Sequence, residues 1–169
     1  MKIKKLYLDM DGVLADFERG VCELAGAEPL PVNGKRSPSD DDRMWDAIRT
    51  VDHFYGRLEP MPGAVELFGR LRAKYGDACE ILTGVPKPRR QIEHAREDKL
   101  EWVRRRLSED VVVNIVLRAQ KPEFCTGPDC VLLDDTLGNI QEWKAAGGTG
   151  ILYEGAEQTL AVLARLEAE

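Results

Sequence analysis

Short apolar runs alternating with stretches of helical periodicity constrain this chain more than any other feature of its sequence. The runs fall at 6–8, 78–82, 112–117, 131–133 and 149–153, each short enough to be a buried strand. After the first, residues 17–25 read as a helix with Phe17, Val21 and Leu24 on one face, stopping near Gly26. Later helices are predicted from Val65, Phe68, Leu71 and Tyr75, from Leu100, Val103 and Leu107, over 139–146, and from Leu160, Leu163 and Leu166. Strands separated by helices imply a parallel sheet covered on both faces, a Rossmann-like three-layer α/β fold. In such sheets functional residues collect at the carboxyl ends of the strands. The stretch 31–43, rich in Pro, Asn, Gly, Ser and Asp, breaks the alternation and reads as inserted. Within it Ser39 or Asp40 is placed to cap a short helix through Met44, Trp45 and Ile48.

Composition narrows the classes of function. At 169 residues and 43% hydrophobic content the chain fits one domain with a small insertion and can fill a core. A net charge of −6 argues against a groove that tracks a nucleic-acid polymer, and Arg104-Arg105-Arg106 reads as a solvated helix face. The basic opening Met1 to Lys5 is followed by an apolar run that Asp9 and Asp11 interrupt, which predicts no signal peptide, and no run is long enough to span a membrane. Cys22, Cys79, Cys125 and Cys130 lack paired metal-ligand spacing, so reduced thiols in a cytoplasmic setting are expected. His53 and His94 are isolated in the sequence and carry little signal.

Chemistry concentrates where the runs end. The first delivers Asp9 and Asp11 to a turn that Gly12 allows; the second ends in Thr83-Gly84; Lys121 follows the third; the fourth ends in Asp134-Asp135. Each has an ordinary reading alone, as a solvated acidic turn, a strand-to-turn junction or an exposed basic turn. Together they predict one anionic pocket whose carboxylates repel each other unless a cation neutralises them, and hard oxygen ligands suit Mg2+. A phosphate drawn to that pocket can be attacked by Asp9, while Asp11 handles protons and Thr83 and Lys121 hold non-bridging oxygens.

The ordered set Asp9-x-Asp11-Gly-Val, Thr83-Gly84, Lys121-Pro122 and Asp134-Asp135 resembles the haloacid dehalogenase superfamily over nearly the whole chain. The resemblance implies that Asp9 is phosphorylated, that Asp11 acts as acid and then base, and that Asp134 or Asp135 holds magnesium together with the backbone carbonyl of Asp11. Aspartate at the Asp11 position looks like a phosphatase or mutase. A closer likeness lies in 9–17, 58–66, Lys99-Leu-Glu-Trp-Val103 and Leu132-Leu-Asp-Asp135, which resemble the deoxyribonucleotidases. That family implies a catalytic core at 1–16 and 60–169, a small helical cap at 17–59, and a nucleoside or deoxynucleoside monophosphate as substrate. Phe17, Trp45, Phe54 and Tyr55 are the candidates to hold the base, with Phe17 and Phe54 placed first.

Two departures stand out: Gly84 occupies a position where mammalian-type members typically have serine, and the loop Lys87-Pro88-Arg89-Arg90 is more basic than theirs. That loop reads either as a contact for a second phosphate or carboxylate or as a solvated basic turn. A phosphatase for a non-nucleotide metabolite and a non-catalytic phospholigand-binding module are the rival functions, and a homodimer is left open.

Overall fold

A computed structural model describes residues 1–32 and 34–169; Asn33, inside the polar stretch noted above, lies outside the described residues. Five parallel strands form one sheet in the order β3-β2-β1-β4-β5. They are β1 (Lys5–Leu8), β2 (Cys79–Val85), β3 (Val113–Leu117), β4 (Cys130–Asp134) and β5 (Thr149–Leu152). The helices are α1 (Phe17–Glu23), α2 (Pro38–Arg49), α3 (Ala64–Tyr75), α4 (Ala95–Arg106), α5 (Leu137–Ala145) and α6 (Ala156–Ala168).

Side-chain alternation along the strands explains why both faces are covered. Leu6, Leu8, Ile81, Val131 and Leu133 join a cluster with Leu67 and Leu71 of α3, Trp102 of α4 and Leu163 of α6. The intervening Tyr7, Leu82 and Leu132 face the other way, onto Ile140 and Trp143 of α5. Each fully buried aliphatic side chain contributes roughly 1.5 to 3 kcal/mol, and the two faces together tie every strand to a helix layer. Both buried indoles find acceptors: Trp102 Nε1 donates to the Leu58 carbonyl at 2.8 Å and Trp143 Nε1 to the Cys130 carbonyl at 3.1 Å.

Between β1 and α3 the regular elements are α1, α2 and a 3-10 turn at Tyr55–Arg57. Val21, Met44, Ile48 and Phe54 of this stretch share the cluster that holds Leu6 and Leu8, so its apolar side is continuous with the main core. The cap of α2 differs from expectation. Ser37, not Ser39 or Asp40, is the N-cap, accepting from the Asp40 amide at 3.1 Å, because Pro38 fits the first helical position, where no amide proton is needed. Strand β2 also runs further than expected. Thr83 and Gly84 lie within it, paired with Ile115 and Val116. The four cysteines are free. Among the described residues no helix is long and apolar enough to cross a membrane.

Candidate active site at the carboxyl ends of the strands

Strand β1 is central, and its end opens into a tight turn. The Met10 carbonyl accepts amides from Val13, Leu14 and Ala15 at 2.8 to 3.2 Å, curling the chain while Met10 itself is buried. Asp9 and Asp11, on either side of Met10, both line the cleft that lies over the strand ends. Gly12 makes the turn possible: its φ is +79°, and a Cβ there would run into the Asp135 carboxylate. The turn thereby packs against Asp135, the residue that follows β4, the strand already paired with β1.

Asp9 is 5% exposed, and Lys121 Nζ bridges its Oδ1 at 2.8 Å and Asp134 Oδ2 at 2.7 Å. Lys121 stands not on a loop but in a 3-10 stretch, Arg118–Phe124, directly after β3. Burial opposes its charge, yet the carboxylates of Asp9 and Asp134 prevail and hold its pKa above the ordinary value. Asp9 is pushed up to about 8 by burial, countered by Lys121 and reinforced by Asp134, Asp135 and Asp11. Asp135, open to the cleft but ringed by protein, rises to about 7 through desolvation and then through Asp134 and Asp11. One ammonium does not balance these carboxylates.

That imbalance is where a cation fits. Oxygens of Asp9, Asp134 and Asp135 lie within 4.8 Å of one another. Asp134 is fully engaged: its Oδ1 accepts from the Thr136 amide at 2.8 Å and Asn139 Nδ2 at 3.1 Å, its Oδ2 from Asn139 Nδ2 at 2.9 Å and from Lys121. Among the described residues Asp135 has only the Thr136 hydroxyl, at 3.4 Å, and the buried Asp11 Oδ1 has no partner. Under-coordinated carboxylate oxygens of this kind match the preference of a hard divalent cation.

A second buried ammonium belongs to Lys99, which opens the Lys99–Val103 match but is given no role in the site by the sequence. Lys99 on α4 has no exposed surface; its Nζ donates to Asp11 Oδ2 at 2.7 Å, Thr83 Oγ1 at 2.9 Å and the Gly84 carbonyl at 2.7 Å. The Tyr55 ring lies 4.5 Å below it. Burial on α4 runs through Ala95, Asp98, Lys99, Trp102 and Val103, whereas Leu100, expected on the apolar face, is 39% exposed. A lysine inside that i, i+3, i+4 stripe was the available signal. Thr83 is also wholly buried, with its hydroxyl proton lacking an acceptor among the described residues, and Gly84 lines the cleft.

The aromatic candidates separate. Phe17 and Trp45, both half-buried, line the cleft, as does Tyr55, whose ring lies 6.2 Å from that of Phe17 with 29° between the planes. Phe54 does not line it. It is 1% exposed and meets Phe17 edge-on at 5.7 Å, so its ring belongs to the core behind the cleft wall.

A five-stranded parallel sheet with acidic, lysine and threonine side chains gathered at adjoining strand ends is an α/β fold of the haloacid dehalogenase-like kind. Solved structures of that shape agree. A hydrolase from Streptococcus pneumoniae TIGR4 aligns over 96% of this chain and 99% of its own with a TM-score of 0.55 at 16% identity. A dehalogenase aligns over 90% and 85% with a TM-score of 0.54 at 14% identity. The chain belongs to the family described as 5' nucleotidase, deoxy (pyrimidine), cytosolic type C, whose model matches residues 31–160. A putative 5'(3')-deoxyribonucleotidase of Bordetella pertussis is 31% identical over 128 residues, 69% of this chain and 67% of that protein.

Proposed function

We propose that this chain is a magnesium-dependent phosphomonoester hydrolase that works through an aspartyl-phosphate at Asp9, acting on nucleoside or deoxynucleoside monophosphates. The observation that carries the reading is the Lys121 bridge between Asp9 and Asp134 at the end of the central strand, beside an Asp11 held by Lys99. Lys121 fixes the Asp9 carboxylate and supplies positive charge where a phosphate's non-bridging oxygens gather. An Asp9 oxygen forms a bond to phosphorus as the bond to the leaving oxygen breaks, and Asp11 gives that oxygen its proton. Water then attacks the aspartyl-phosphate, Asp11 takes its proton, and Asp9 is released with inorganic phosphate.

Thr83, wholly buried beside the cleft-lining Gly84, would donate its spare hydroxyl proton to a phosphate oxygen that reaches the end of β2. Asp9, Asp134 and Asp135 would hold the magnesium together with the backbone carbonyl of Asp11, with Asp134 kept in place by Lys121 and Asn139. When bound, the ion neutralises the carboxylates and stabilises charge on the transferred phosphoryl group. The cleft encloses about 810 Å3, within the range of small-molecule sites, and Phe17 and Trp45 offer faces to a base.

Phosphate release from a panel of nucleoside monophosphates, sugar phosphates and an aryl phosphate tests the reading. Asp9→Asn is expected to lower turnover by roughly three powers of ten or more with thermal unfolding little changed, because an amide is a poor nucleophile. Near-wild-type turnover by that variant would overturn the nucleophile, and a preference for sugar phosphates over every nucleotide would overturn the substrate class.

A further inference from the structure

The cleft is charged with opposite signs at its floor and its rim. On the floor, carboxylates outnumber the ammonium groups that reach them, as described above. At the rim the balance reverses. Two rim carboxylates are already neutralised: Glu18 by a two-pronged pair with Arg36 at 2.8 and 2.9 Å, and Asp41 by Arg90 at 2.8 Å. Arg90 also takes Asp42 and lies 5.8 Å over the Trp45 ring, and Arg118 is engaged by Glu142 at 2.9 Å and Asn139 at 2.6 Å.

Lys87 and Arg89 stand apart from these pairs. Both are exposed, both line the cleft with Asp9 and Asp11, and neither has a carboxylate within ion-pair distance among the described residues, although Asp42 feels the Arg89 charge across space. Their loop leaves the end of β2 directly, and Lys87 is four residues past Thr83, so its backbone stands within about 14 Å of the phosphate-binding strand end. Unpaired cations on the wall of a cleft, in a chain of net charge −6, mark a place for an anion.

We propose that Lys87 and Arg89 form a subsite for a second phosphate on the substrate, so that the chain takes nucleoside bisphosphates with one phosphate at Asp9 and the other, across the sugar, at the rim. The assignment of the first phosphate rests on the phosphatase reading above. Two cations match a dianion better than a single carboxylate, and the planar guanidinium can take two phosphate oxygens at once.

Equilibrium titration of full-length Asp9→Asn protein tests this without turnover, using a deoxynucleoside 5'-monophosphate, the matching 3',5'-bisphosphate and the 5'-diphosphate at fixed ionic strength. The bisphosphate is expected to bind about tenfold more tightly than the monophosphate, the gain from one added charge-assisted contact. Adding Lys87→Gln and Arg89→Gln should bring that ratio to within about twofold; both positions are exposed, so the fold tolerates the changes. Equal binding of mono- and bisphosphate, a preference that survives the double substitution, or a gain for the diphosphate alone would overturn the subsite. A wild-type protein that prefers the bisphosphate through these two residues yet hydrolyses no phosphomonoester would sink the catalytic reading and leave the subsite standing.

Discussion

Lys99 shows how much of the site depends on one residue that never meets solvent. Its ammonium satisfies Asp11, Thr83 and Gly84 together, linking the end of β1 to β2 through α4. A methionine keeps the length and apolar stem but leaves three acceptors unpaired, one of them a carboxylate. Lys99→Met is therefore expected to lower stability by about 3 kcal/mol, in the range for breaking a buried charge pair, and to lower turnover at least about tenfold by loosening Asp11. Urea denaturation and phosphate release check the two effects; an unchanged unfolding midpoint would mean that Lys99 contributes nothing net where it sits. Its role was not legible in the sequence because a charged residue on a charged helix looks solvated until the buried stripe is known. Asp9, Asp11, Lys121 and the Asp134-Asp135 pair were legible because each sits beside a strand end, where strand order does not alter its local chemistry.

At the scale of elements, the helical stretch between β1 and α3 divides its aromatics between two tasks. Phe17 opens α1 and shows a face to the cleft, whereas Phe54 is packed behind it, near the position that a Cβ on Gly20 would invade. Phe17→Ala is expected to weaken nucleotide binding by about 1 to 3 kcal/mol, raising the Michaelis constant for a nucleotide but not for an aryl phosphate without a base. Phe54→Ala should instead cost about 3 to 5 kcal/mol of stability through a core cavity. Thermal unfolding and paired kinetics separate the two, and a nucleotide-specific KM effect from Phe54→Ala without loss of stability would reverse the assignment. Both phenylalanines are aromatic residues flanking short helical turns, so local sequence offers no means of telling wall from core. The α2 cap illustrates a smaller gap: three candidate caps lie within four residues, Ser37, Ser39 and Asp40, and Pro38 selects the first.

For the molecule as a whole, carboxylates crowd where β1 and β4 end, and burial together with their mutual charge raises the pKa of Asp9 and Asp135, the setting in which a cation would be favoured. Because a folded site is needed to gather Asp9, Asp134 and Asp135, the proposed magnesium is expected to bind the native state and to raise its stability by about 2.7 kcal/mol at a hundredfold excess over Kd. That corresponds to roughly 5 to 11 °C in Tm for a chain of this size. A chelator should reverse the shift and Asp135→Asn should abolish most of it; a melting curve indifferent to magnesium and chelator would remove the metal from the site. The sequence by itself determined the α/β alternation, the parallel sheet and the acidic strand ends, since strand burial and side-chain periodicity are written locally. Tertiary structure alone decided which lysine holds Asp11, which carboxylate keeps free oxygens, which aromatic reaches the cleft and which cations stay unpaired. Each of those depends on contacts between residues up to 112 positions apart, as for Lys121 and Asp9, and such distances close only when the sheet order is set.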